Sequence, residues 1–85
     1  MQDEDAQSVR HDFGDRLKIL RKQSDISQEQ LAHLSGLDRS YVGQVERGER
    51  NVSLQNIHRL AKALGKSPAD LFENDSQCEA VVGNE

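Results

Sequence analysis

Residues 39–47 of this 85-residue chain carry its most specific chemistry. Projected onto a helix at 100° per residue, Arg39, Gly43, Arg47, Ser40 and Gln44 share one arc about 140° wide, with Val42, Val45 and Tyr41 on the other side. Arginine and glutamine suit two-pronged hydrogen bonding, Arg to guanine O6 and N7 and Gln to adenine N6 and N7. The valines make their side core-facing. Gly43 leaves the middle of the polar arc without a side chain, although glycine inside a helix costs roughly 1 kcal/mol against alanine. The missing side chain would let the helix backbone approach the edges of base pairs. The alternative is a solvated polar face on which a glycine is tolerated.

Positioning that arc requires short, well-capped helices, and the flanking sequence supplies them. Ser27 and Gln30 form a capping box, S-x-x-Q, at the start of a helix whose inner face is Leu31, Ala32 and Leu34. Gly36 supplies the left-handed residue that ends it. Asp38 then caps the helix that carries the arc, which Gly48 closes. Ser53 caps a fourth helix, with Val52 able to staple onto Ile57. Leu54, Ile57, Leu60, Ala61 and Leu64 lie within one side of it, and Gly65 ends it. The spacing of Phe13, Leu17 and Leu20 predicts a first helix over about 12–24, ended by "SDIS". "SPADLF" predicts a short fifth helix, with Ser67 at the N-cap, Pro68 at the first position and Asp70 in the first turn. The nearest strand signal, "EAVVGN" at 79–84, is an isolated two-valine stretch. The fold class is all-α, without internal repeats.

Bulk composition narrows the function. A chain this short makes one small domain. No apolar run approaches the roughly 18 residues of a membrane span, and "MQDEDAQSV" is the opposite of a signal peptide. The single Cys78 excludes an intrachain disulfide and a cysteine-rich zinc site. His11, His33 and His58 have no ligand spacing, and no nucleophile–base set is recognisable, so neither a metal nor an enzyme is expected. The net charge of −4 divides unevenly: −3 over residues 1–12, +3 over 13–72 and −4 over 73–85. The polar, acidic ends predict flexible tails over 1–11 and 74–85 around a mildly basic domain over 12–73. Such tails would repel DNA and weaken non-specific binding, and affinity should fall steeply with salt. The expected setting is cytoplasmic.

A short helix, a glycine-containing turn and a second helix with a polar outer face follow helix-turn-helix logic. The stretch 13–72 resembles the Cro and phage-repressor type (XRE) helix-turn-helix family. The resemblance rests on Ala32, Gly36, Val42 and Val45 at matching spacing, and on "GDRLKILR", "VERGERNVSL" and "LAKALGKSPADLF" in order. "LDRSYV" and "ERN-x-S" are closest to restriction–modification controller proteins. It implies a compact five-helix, lambda-repressor-like domain with the helix-turn-helix at about 27–47. By position it also implies roles. Gln28 would bond a backbone phosphate, Arg39, Ser40 and Gln44 would reach base edges, and Arg47, Arg50 and Asn51 would contact phosphates. Arg50 and Asn51 could instead decorate a loop, and Ser40 could be a phosphate contact or a local cap. Tyr41, at the edge of the valine side, is compatible with core packing and with a hydroxyl-to-phosphate bond. Arg21 and Glu46 would be the family's structural ion pair between the first and third helices. Both flank the apolar sides of their own helical wheels.

One such domain offers few base contacts, so useful specificity implies two copies on a palindrome, about one helical turn (~34 Å) apart. Leu64, Pro68, Leu71 and Phe72 form the expected dimer patch. Together these readings imply a sequence-specific double-stranded-DNA-binding transcriptional regulator, a homodimer on a palindromic operator, with no cofactor or small-molecule effector. The alternative is a protein-interaction module, such as an antitoxin or adaptor, on the same fold.

Overall fold

The computed structural model describes residues 3–72, with side chains from Asp5 onward. The expected C-terminal tail, including Cys78 and the 79–84 stretch, lies outside the described residues. Four α-helices and one 3-10 turn follow in order: α1 (Asp3–Gln23), α2 (Gln28–Ser35), α3 (Arg39–Glu46), α4 (Leu54–Ala63) and the turn Pro68–Leu71. Among the described residues no helix is long and apolar enough to cross a membrane.

Most helix ends are set by the residues that announced them. Ser27 Oγ accepts from the Gln30 amide at 3.0 Å, and Gln30 Oε1 accepts from the Ser27 amide at 2.7 Å. Gly36 is left-handed (φ 75°) and Ser53 Oγ accepts from the Asn56 amide at 3.1 Å. Asp38 takes the N-cap position of α3, but its side chain makes no cap hydrogen bond. The fifth helix proves to be a single 3-10 turn. Asp70 accepts from the Ser67 amide at 3.0 Å, and the Phe72 amide closes back onto the Ala69 carbonyl after one turn. The five-helix expectation is therefore four helices plus this turn.

The first helix starts at Asp3, not near residue 12, so the stretch expected to be a flexible tail is helical from Asp3. Acidic residues at the positive end of a helix favour this start, and contacts with the turn that ends α3 hold this part of α1 in place. Arg10 Nε donates to the Gly48 carbonyl at 3.3 Å, and the His11 ring lies against Gly48.

The core joins Phe13, Leu17 and Leu20 of α1 to Leu31 and Ala32, Val42 and Val45, and Leu60, Ala61, Leu64 and Leu71. Two expected inner residues lie outside. Leu34 is 58% exposed because the buried arc of α2 runs through Leu31, Ala32 and Ser35. Leu54 is 82% exposed; it sits at the first position of α4, where Val52 and Ile57 do the packing.

Two features lock α1 onto α3. A methyl at Gly14 would run into the carbonyl oxygen of Val45 and lie 2.7 Å from that of Glu46, so backbone meets backbone there. Two turns further along, Arg21 Nε and Nη2 reach Glu46 Oε2 and Oε1 at 2.6 and 3.2 Å, and Arg21 Nη1 donates to the Ile26 carbonyl at 2.9 Å. Gln28 Nε2 donates to Glu46 Oε1 at 2.9 Å. Both charges are buried, yet every donor and acceptor that matters is paired. Gly43 is different in kind: the nearest groups a methyl there would meet are the Arg47 guanidinium at 3.2 Å and the Gln28 amide at 3.6 Å, both ends of flexible side chains.

Gly14→Ala should destabilise the protein by about 2 kcal/mol, because overpacking against backbone typically costs 1–3 kcal/mol and exceeds the ~1 kcal/mol gained in helix propensity. Gly43→Ala should be neutral or stabilising by up to about 1 kcal/mol. Urea unfolding of both variants checks the contrast, and equal shifts would contradict it. Glu46→Ala leaves Arg21 buried without its carboxylate and should cost about 3–5 kcal/mol; a loss below about 1 kcal/mol in the same assay would show the pair to be dispensable.

Candidate nucleic-acid interface

The turn between α2 and α3 is built by few residues. Gly36 turns the chain, and the Leu37 amide bonds the Ala32 carbonyl at 2.9 Å. Val42 and Val45 then bury one side of α3 completely or nearly so. With Glu46 held by Arg21 and Gln28, the helix has one orientation.

Arg39 and Ser40 are exposed on its outer edge, and Gln44 is partly exposed beside them. None of the three makes a side-chain hydrogen bond among the described residues. Gly43 lies on the same side but is buried, covered by the side chains of Gln28 and Arg47. The middle of the arc is thus a seat for two long polar side chains rather than bare backbone.

Those two side chains already have partners. Gln28 spends one amide hydrogen on Glu46, while its backbone N–H, at the first position of α2, has no intrahelical partner. Arg47 is exposed and donates from Nε and Nη2 to Glu49 Oε2 and Oε1 at 2.9 and 3.3 Å. The hydrogen bond to Glu49, then its charge, raises the Arg47 pKa above its ordinary value; the bond to Arg47 holds the Glu49 carboxyl below the usual range.

Tyr41 takes the first of its two expected roles, core packing. Its ring packs on the core, and its hydroxyl oxygen accepts from Asn56 Nδ2 at 3.0 Å. That leaves the phenolic proton free to donate. The Arg50 guanidinium lies over the Tyr41 ring, 5.2 Å from its centre, and Asn51 is exposed next to it.

The expected dimer patch is broken up by the fold. Leu64 and Leu71 are core residues, because the 3-10 turn folds back against α4 and α1, where Arg16 Nε donates to the Asp70 carbonyl at 3.0 Å. Pro68 stays exposed, and Phe72 is 54% exposed with its ring 5.3 Å from that of Phe13. Among the described residues no three His, Cys, Asp or Glu side chains gather as a metal site would require.

Sequence reasoning missed three residues that shape this region, Gly14, Glu49 and Asn56, and misplaced a fourth, Leu54, on an inner face. A signal existed for Gly14, a glycine at the edge of the Phe13–Leu17–Leu20 stripe. Glu49 lies two residues from Arg47 across a glycine. Leu54 was hidden because it continues an apolar pattern, and Asn56 because its partner lies fifteen residues away.

Comparison with known proteins agrees with the geometry. Residues 17–71 match the family described as Helix-turn-helix. Control protein C.BamHI of Bacillus amyloliquefaciens is 44% identical over 75 residues, which span 85% of this chain and 93% of that protein. The crystal structure of the restriction-modification controller protein C.AhdI from Aeromonas hydrophila is 60% identical, with a TM-score of 0.76, and covers 76% of this chain and 98% of its own. The DNA-binding domain of the P22 c2 repressor, solved in solution, is 33% identical with a TM-score of 0.70, covering 74% and 83%. The chain belongs to the helix-turn-helix family, alongside restriction–modification control proteins and phage repressors.

Proposed function

We propose that this protein is a sequence-specific double-stranded-DNA-binding transcriptional regulator that acts in the cytoplasm as a homodimer on a palindromic operator. The observation that carries the reading is the outer edge of α3. Arg39, Ser40 and Gln44 stand there without a side-chain partner among the described residues, on a helix that a buried ion pair holds in one orientation. Preorganised, unpaired donors of this type are what major-groove readout needs. The kinship with control proteins and with a repressor's DNA-binding domain supports it.

In this reading α3 enters the major groove, Arg39 and Gln44 read base edges, and Ser40 assists at the helix start. The backbone N–H at Gln28, the Tyr41 hydroxyl, Arg47, Arg50 and Asn51 hold phosphates on either side. Gly43 contributes by giving the Gln28 and Arg47 side chains room to lie flat against α3. The second copy doubles a short list of base contacts. Among the described residues the exposed apolar side chains that could pair it include Phe72, Pro68 and Leu54, with Val9, Ile19 and Leu34 elsewhere on the surface.

Selection from a random-sequence duplex pool should return a palindrome with half-sites about 34 Å apart. On that duplex, Arg39→Ala should relax one base pair per half-site, a discrimination of roughly 1–3 kcal/mol. Arg47→Ala should weaken selected and scrambled duplexes alike. Fluorescence anisotropy distinguishes the two. Equal losses on both duplexes for Arg39→Ala would remove it from base reading, and a pool with no enriched sequence would favour a protein-interaction module.

A further inference from the structure

We propose that Glu49 is an intramolecular competitor for DNA phosphate: it occupies Arg47 in the free protein and so lowers sequence-independent affinity. The proposal rests on the DNA-binding reading above. A carboxylate gripping Arg47 through Nε and Nη2 uses the same fork of donors that takes up two phosphate oxygens. While Glu49 is in place, that edge of the guanidinium is closed to DNA and only its outer Nη1 and Nη2 hydrogens remain.

The contact is built by the chain rather than left to a loose loop. Gly48, at φ 77°, ends α3 in a Schellman turn: its amide bonds the Val45 carbonyl at 3.0 Å, and the Glu49 amide bonds the Gln44 carbonyl at 2.9 Å. The turn is held from outside by Arg10 on the Gly48 carbonyl. Glu49 therefore leaves the backbone at a fixed point beside Arg47. On the other side, Gly43 gives the guanidinium its seat, since a methyl there would stand 3.2 Å from Arg47 Nη1. Both side chains are more than half exposed. An exposed pair is weak enough for phosphate to displace, so it acts as an exchangeable hold and not as a lock. Non-specific complexes, which depend on phosphate contacts almost entirely, bear this cost with no base contacts to offset it.

The test is binding of a scrambled duplex by fluorescence anisotropy at fixed salt, with Glu49→Gln made in the unaltered protein and in Arg47→Ala. Glu49→Gln should tighten binding about two- to five-fold per protomer, as expected for freeing an exposed pair, and by clearly less when Arg47 is absent. Glu49→Asp, which keeps the charge but shortens the reach, should also tighten binding. Equal gains in both backgrounds, or an unchanged Glu49→Asp, would reduce Glu49 to a distant repulsive charge and overturn the proposal. No gain at all would overturn it too, while the binding of unaltered protein would leave the DNA-binding reading standing. Failure of the unaltered protein to bind any duplex would instead bring down both.

Discussion

The backbone of α1 touches the backbone of α3 at Gly14, and the rest of the molecule is arranged around that contact. No side chain fits between the two helices there. The approach brings Arg21 to Glu46, seals Phe13, Leu17 and Leu20 over the valine side of α3, and gives the last turn of α3 a fixed place. Burial of the charged pair is acceptable only because its hydrogen bonds are complete: Ile26 takes the spare guanidinium donor and Gln28 satisfies Glu46. A buried pair of this kind is weak evidence for stability in itself, but removing one partner is costly. Its contribution is orientation, holding α1, α2 and α3 to one mutual geometry.

That geometry decides which side chains remain available. Those on the inner side of α3 are consumed by the core, and Gln28 and Arg47 are folded over Gly43. Arg39 and Ser40, at the start of the helix, and the edge of Gln44 are what is left. Tyr41 and Asn56 brace one flank, with Arg50 stacked outside them. The surface combines two tiers: a leading edge without partners among the described residues, and a surrounding set of cations and amides that must exchange one partner for another when it binds.

Features whose partners lie within one turn were legible in the sequence. Ser27 with Gln30, Gly36 and Ser53 need only three or four residues to specify them and formed as read, whereas Asp38 holds its cap position without a side-chain bond. The Arg21–Glu46 contact was legible through the family resemblance, and the helical wheels supported it because both residues flank apolar stripes. What failed depends on how helices sit against each other. Leu34 and Leu54 continue apolar patterns but point away from the neighbours that α2 and α4 actually have. Leu71 reads as free surface until the turn packs it against α4. The early part of α1 is held at Gly48, nearly forty residues away. Gly14 and Gly43 carry the same propensity cost, and only their tertiary neighbours reveal that the fold requires the first and tolerates the second.

The central claim is that the outer edge of α3 is the surface that meets DNA. Amide chemical-shift mapping of the labelled protein, titrated with a duplex of about two turns, tests it most directly. The largest changes should fall on Arg39, Ser40, Gln44 and the Gln28 amide, with smaller ones at Tyr41 and Arg50. Changes confined to Leu54–Arg59 or to the turn at Pro68–Phe72, with α3 unmoved, would contradict the account.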